Sequence, residues 1–416
     1  MPTIVDFPTL VQEALTVFGD VFDPAPARRH FADYLTGLMV AERTTISGIN
    51  REFVITTDQS CLHRWLTEVS GDVQTRNDRR REWLQRDPQT RYRPRGGIAL
   101  ANTLVAHEGQ LIADVGWFWD HADERYVIAH DSLIATYVCP SGAHYPMAWK
   151  RFKKRAACAA GECKDHTPLC LAWIEDAVAR GIPGAFTYEC SFTSATVLNH
   201  MQSQQRAEVG DLKLTRHVVY DGWEQSLQAV ARQLPWGAKQ PVRMGQRRYG
   251  YFRQQRRIPD VDHPGRVVVF WQARGDQEAS TALVSNRLGW EVIRMVVVYR
   301  YRWTGTETFP RDGKQRLGLG DCQGRTGEGQ TRHVYLVSVA SSLLRRSLHQ
   351  THLYDWARRT LTTIGAACRA VKAETLERIV DGIVDKLTVA HWLIPEMKAV
   401  LAQHEAGSTL QNFSYS

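Results

Sequence analysis

Apolar residues recur at helical spacing through the first ninety positions of the chain. Phe31, Tyr34, Leu35, Leu38 and Met39 form one such stripe, and Ile46, Ile49 and Phe53 a second. Thr57 or Asp58 stands where an N-cap would open a third helix carrying Leu62, Trp65, Leu66 and Val69. A basic stretch follows with Arg76, Arg79, Arg80, Arg81 and Arg86. Residues 1–92 therefore read as a helical DNA-binding domain; the alternative is a helical adaptor with a solvated charged face.

The texture changes after a Pro/Gly/Arg-rich linker, Asp87 to Gly97. Ile98 to Val105, Leu111 to Trp119 and Tyr126 to Val138 are rich in β-formers and predict a three-stranded meander. A helix at Leu171 to Arg180 ends at Gly181, and Phe186 to Glu189 reads as a short strand. A helix around Ser194 to Gln205 and a strand Glu208 to Leu214 follow. This order, β-β-β-α-β-α-β, is that of an RNase H-like core still lacking its last helix. That helix is predicted around Asn286 to Leu317, after a basic block with strand-like pieces at His217 to Tyr220 and Arg266 to Trp271. The expected architecture is α/β: a mixed five-stranded RNase H-like core, interrupted by a β-rich insertion and flanked by helical regions. Residues 93–214 would form its first part, 215–282 the insertion and 283–331 the last core helix. Residues 332–416 return to helical periodicity through Leu343, Leu344 and Leu348, then Trp356, Leu361 and Ile364.

A length of 416 residues exceeds what one core usually organises, so two or three domains are expected. The net charge of +8 favours a polyanionic partner. No stretch approaches the roughly 18 apolar residues of a membrane helix, and no basic-then-apolar leader opens the chain. A cytoplasmic protein without a membrane partner is expected, with its eight cysteines mostly as thiols. Cys158, Cys163, His166 and Cys170 are zinc-capable types at a non-standard spacing; a loop with incidental cysteines is the plainer reading. Cys61, Cys139, Cys190, Cys322 and Cys368 read as small core residues, and His333 as a support for the segment before it. No Gly-rich loop of P-loop spacing occurs.

Two stretches carry a family resemblance. ANTLVAHEGQLIADVGWFWDHADERYVIAHDSLIATYVCPSGAHYP, followed by KRFKKR, resembles the β1–β3 region of insertion-sequence transposases. YRYRWTGTETFPRDGKQRLGLGDCQGRTGEGQTRH, Tyr299 to His333, resembles the YREK signature of the IS-four superfamily: Tyr, two residues, Arg, three residues, Glu, six residues, Lys. Tyr299 and Arg302 match that spacing, as do Glu307 and Lys314, but four residues separate Arg302 from Glu307. On a helix Glu307 and Lys314 would share a face with Arg311, a carboxylate with cations at hand for a phosphodiester.

The resemblance implies a DDE transposase. It would bind the terminal inverted repeats of an insertion sequence and cut and transfer DNA strands with Mg²⁺ or Mn²⁺ held by three carboxylates. Its partners would be double-stranded DNA (element ends and target) and a second copy of the chain, so that it would associate with the bacterial nucleoid. Glu307 matches the third carboxylate. Glu189 falls where relatives carry Asp, one methylene shorter. The first position is occupied by Ala101, which offers no ligand; Asp114 is the nearest candidate substitute. Tyr299, Arg302, Trp303 and Lys314 of the signature would contact DNA. So would Lys150, Arg151, Lys153, Lys154 and Arg155, and Arg247, Arg248 and Arg253 of the inserted block. Ala101 separates this reading from its alternative, a catalytically impaired, transposase-derived DNA-binding protein or regulator.

Overall fold

The computed structural model describes residues 4–153 apart from 55, 57 and 70, then residues 166–385 and 387. Five helices come first: α1 (Thr9–Phe18), α2 (Ala25–Val40), α3 (Ile46–Glu52), α4 (Gln59–Glu68) and α5 (Val73–Gln85). α2 to α4 are the helices the periodicity predicts. Asp58 caps α4, accepting from Ser60 N at 2.7 Å; Thr57 lies outside the described residues. α1 and α5 go beyond the expectation. α5 is the basic stretch itself, and its inward face carries arginines in place of an apolar stripe. Arg76, Arg80 and Arg81 are buried beside Trp83 and Leu84, so these three form neither a solvated face nor a DNA-facing one. Arg76 lies over the Phe22 ring at 4.6 Å, and Arg81 pairs with Asp78 at 3.1 Å.

The next elements are β1 (Gly97–Ala106), β2 (Gly116–Asp120), β3 (Arg125–Val138), β4 (His144–Arg151), α6 (His166–Ala179), β5 (Ala185–Tyr188), α7 (Ala195–Ser203) and β6 (Glu208–Leu212). β3 pairs antiparallel with both β4 and β1, and β1, β5 and β6 run parallel. The order β4-β3-β1-β5-β6 makes a mixed sheet flanked by helices, consistent with an RNase H-like topology. The third strand of the meander is β4, where no strand was expected; β2 is a short hairpin arm on the first residues of β3. β4 was hidden by Pro146 and its cations, residues suited to a strand paired on one side only. α5 covers its outer edge: Asn77 Nδ2 donates to Met147 O at 2.9 Å and Arg80 Nη2 to Pro146 O at 2.6 Å.

The sheet has ten strands, not five. After β7 (His217–Tyr220), β8 (Trp223–Ser226) and α8 (Leu227–Gln233) come β9 (Gln240–Met244), β10 (Arg247–Arg256), β11 (Gly265–Trp271) and β12 (Thr281–Ser285). β12 lies antiparallel on β6, and β11, β10 and β9 follow it outward. The block expected as an insertion thus extends the central sheet, because β6 would otherwise present an open row of backbone donors and acceptors. It also has an apolar cluster of its own, with Val218, Leu227, Val230, Val267 and Trp271.

α9 (Val292–Arg302), a π-helical turn (Trp303–Glu307) and α10 (Thr308–Arg316) cross the sheet as one continuous rod, and α11 (Gly327–Ser347) is buried along nearly its whole length. Residues 349–363 are not helical, so Trp356 and Leu361 lie outside the helix that periodicity suggested; helix α12 spans residues 364–385. Leu361 is still buried, which is why its spacing looked regular. No helix among the described residues is long and apolar enough to cross a membrane.

β6 buries Glu208 completely, and neither carboxylate oxygen has a hydrogen-bond partner. Burial raises its pKa well above the usual carboxylate value, against a weaker opposing pull from Arg287. The folded state therefore holds a proton that the unfolded chain releases near its ordinary pKa of about 4.3. The group's stability contribution is fully present below that value and is lost as pH rises towards the folded pKa. Glu208→Gln, neutral at every pH, is expected to flatten the decline of Tm between about pH 5 and 8. Parallel declines in both proteins would show that Glu208 is not the group responsible.

Candidate functional site

β1 turns Ala99 and Ala101 to one face and Leu100 and Asn102 to the other, by strand alternation. The π turn rests on the alanine face. A Cβ placed on Gly305 would lie 3.0 Å from the Ala99 Cβ and 3.2 Å from the Thr136 Cβ, so this approach admits little beyond glycine. Gly97 is as tightly covered, by the Tyr301 ring. The rod carrying Tyr299, Arg302 and Glu307 is thus set directly on β1 and β3.

The extra residue between Arg302 and Glu307 falls inside the π turn. A π turn closes i→i+5, so five positions return the chain to the face that four would reach in an α-helix. Arg302 and Glu307 accordingly remain neighbours, with Nη1 and Oε1 3.7 Å apart. Arg302 is buried, between the rings of Trp303 at 4.3 Å and Tyr299 at 5.4 Å, while Trp303 and Glu307 are exposed. Lys314 reaches solvent at the next turns. Crowding by its surroundings lowers its pKa, while Asp120 and Glu307 hold it up.

Glu189 follows β5, whose last registered pair is Tyr188 with Leu100. One residue further along both strands, Glu189 comes beside Ala101. Its Oε1 accepts from Asn102 N at 3.3 Å and from Ser191 Oγ at 3.1 Å. Glu189, Ala101 and the Glu307 turn thus gather at the middle of the sheet. Asp211 joins them, unflagged by the sequence. It sits on β6, and its side chain and that of Arg302 both bond Tyr299; Thr281 Oγ1 donates to its Oδ1 at 3.3 Å. Burial, with the Asp211 charge second, pushes the Tyr299 phenol up to about 12, against the pull of Arg302. The available signal was an acid in the middle of an otherwise buried strand.

Asp114 is placed elsewhere. It precedes β2, which registers through β3 with the far end of β1 at Ala106, five residues past Ala101. Five strand residues span about 17 Å. Its oxygens meet Lys153 at 3.0 Å and Arg151 at 3.4 Å. Arg151 also donates to Gly327 O at 2.7 Å, which ties the end of β4 to α11. Lys150 is exposed there, whereas Lys154 and Arg155 lie outside the described residues. Arg247 and Arg248 are exposed on β10, and Arg253 pairs with Glu291. The β4 and β10 basic groups are seven strands apart in the sheet, up to about 34 Å, with the Glu189 region between them.

Two of the four zinc-capable residues, His166 and Cys170, are among those described. His166 Nε2 bonds Asp131 Oδ2 at 2.7 Å, while Cys170 is in the core with its thiol pushed up to about 12 by burial. Cys158 and Cys163 lie outside the described residues. Cys139 and Cys322 are buried, and Cys61, Cys190 and Cys368 half-buried. His333 is buried between Tyr34 Oη at 2.8 Å and Gly318 O at 2.9 Å, so it fixes the segment after α10 to α2. Among the described residues no three His, Cys, Asp or Glu side chains are grouped to hold a metal ion. A scan against protein-family models gives no match, and a search of curated proteins gives none.

The π turn makes a direct forecast. Deleting Thr304 removes its extra residue and lets the rod run as α-helix with Glu307 still on the Arg302 face. Deleting Val297, in the regular part of α9, instead rotates everything beyond it by about 100°. The Thr304 deletion is expected to fold with a modest loss of Tm and the Val297 deletion to lose cooperative unfolding. Equal damage from both would mean that the turn does not absorb the extra residue.

Proposed function

We propose that this chain is a DNA-binding relative of the DDE-class, YREK-type insertion-sequence transposases. In this reading its RNase H-like core carries a β-rich insertion, and its strand-cutting centre has lost one metal ligand. The observation that carries the reading is Ala101, in the middle of β1, between Glu189 and the rod that holds Glu307. A two-metal centre needs a carboxylate that bridges both ions, and a methyl group donates nothing. Of the carboxylates near Ala101, Glu189 and Glu307 fall at family positions and Asp211 is bonded by Tyr299 and Thr281; Asp114, further off, is held by Arg151 and Lys153. The residues present do not fit a pair of Mg²⁺ or Mn²⁺ ions.

DNA binding is supported by the charge of +8 and by exposed cations toward both ends of the sheet, Lys150 on β4 and Arg247 and Arg248 on β10. Such groups would grip phosphates, which fixes a duplex in place without reading its sequence. A chain of this kind would occupy element ends, as a homodimer where two ends are brought together, and compete there with an active enzyme. The reading as an active transposase is favoured by one observation: the Arg302–Glu307 pair is kept despite the altered spacing.

Duplex binding is expected to need no divalent metal and to weaken by orders of magnitude between about 50 and 200 mM salt, if six or more phosphates are contacted. Affinity that is flat in salt would remove the phosphate argument. Cleavage separates the two readings. The chain as it stands is expected not to nick end-containing DNA with Mg²⁺ or Mn²⁺, and Ala101→Asp to raise the rate, more so together with Glu189→Asp. Each restored stabilisation of about 1.4 kcal/mol is worth tenfold. Efficient nicking by the unaltered chain would overturn the impaired reading in favour of the active one.

A further inference from the structure

A second feature lies away from Glu189 and Glu307, where α5, β4 and α11 meet. A cleft of about 370 Å³ opens there, large enough for a small ligand and larger than a bare phosphate requires. Its floor includes Arg80, Met147, Tyr335 and Ser338, and its mouth Lys150, Arg151 and Lys153. Four cations line it with one carboxylate, Asp72, which already caps α5 by accepting from Thr75 N at 2.9 Å; Arg151 and Lys153 share Asp114 beside the lining, which leaves Arg80 and Lys150.

Among the described residues the charge on Arg80 has no acidic partner. It is 1% exposed, and its acceptors are neutral: Asn77 Oδ1, Ser342 Oγ and Pro146 O. The groups that act on it electrostatically are three phenols, Tyr335, Tyr92 and Tyr145, and the like-charged Arg81. Burying a cation without a counter-charge costs several kcal/mol, and an anion nearby recovers part of that. Two further donors on the same lining, Arg151 Nη1 and Trp149 Nε1, are buried with no acceptor. Buried donors in native proteins are nearly always satisfied, so two together with an unneutralised arginine mark a place for an acceptor-rich group. A phosphate offers several acceptor oxygens and up to two negative charges, matching both needs.

We propose that this cleft binds a phosphate-bearing anion, gripped at the mouth by Lys150 and Arg151 and drawn in by the buried charge of Arg80. The phosphate is either that of a free phosphorylated small molecule or one from a DNA backbone. Anion binding here does not depend on the proposed function, because it is tested without DNA.

The test uses the full chain with inorganic phosphate as the probe and chloride of equal ionic strength as the control, read by thermal shift and calorimetry. Phosphate is expected to raise Tm beyond chloride. Lys150→Gln and Arg151→Gln should each weaken binding about tenfold, the scale of one charge-assisted hydrogen bond; Arg232→Gln, on α8 and paired with Glu278, should leave it unchanged. No stabilisation beyond chloride, or equal affinity in all three variants, overturns the proposal. A duplex without terminal phosphates identifies the source. If it displaces the probe, the backbone is the ligand; if it binds without displacing it, a free phosphorylated compound is. Phosphate binding in a chain that does not bind DNA would leave this inference standing and remove the proposed function.

Discussion

The burial of Arg80 ties the helical N-terminal region to the sheet. Its guanidinium reaches α11 through Ser342 and the outer edge of β4 through Pro146 O, while Asn77 of its own helix holds it in place. Removing the side chain would strand these acceptors and open the edge of β4; leaving one buried acceptor unsatisfied costs about 1–3 kcal/mol. β4 in turn flanks β3, and β3 with β1 forms the floor on which the π turn rests. The position of the Glu307 rod thus depends, through three strands, on an arginine that composition alone would assign to the surface.

The π turn is the second constraint. An extra residue in an α-helix would rotate everything beyond it away from the sheet. Here the added residue is absorbed where the rod lies closest to β1, and Gly305 makes that approach possible. Helices carry π turns mostly where a functional arrangement must survive an insertion. The pairing of Arg302 with Glu307 across the turn fits that pattern.

Much of this fold was legible in the sequence, and the failures share a physical cause. α2 to α4, β1, β3, β5, α7 and β6 follow hydrophobic periodicity, and their boundaries fall within a few residues of expectation. α5 was missed because its buried face is polar: a pattern read by hydrophobicity cannot see an arginine whose charge is buried among phenols and carbonyls. β4 was missed because it pairs on one side only and carries Pro146 and cations. The basic block looked like a separate unit because a sheet's outer edge leaves no local mark in the residues that will pair with it. In the site, Glu307 could be singled out by the spacing of the signature and Glu189 by where the resemblance places it. Asp211 could not, since only the register of β6 brings it to Tyr299.

Charge balance is the remaining clue to what the site can do. A centre built to hold two divalent cations must carry an excess of negative charge at close quarters, or the ions would not leave water. Around the end of β5 the carboxylates Glu189, Asp211 and Glu307 stand with Arg302, Lys213 and Lys314. Asp120 also acts on Lys314, so four carboxylates meet three cations. Each of the first three also has protein partners already: Glu189 has Asn102 N and Ser191, Asp211 has Tyr299 and Thr281, and Glu307 has Arg302. With Ala101 in place of an acid, the cations offset most of that charge. An aspartate at that position would add a further negative charge beside the face where the rod meets β1, towards the excess a metal requires. The single methyl group of Ala101 therefore lowers the ligand count and weakens the negative field together, and both changes leave the region less suited to holding two divalent cations.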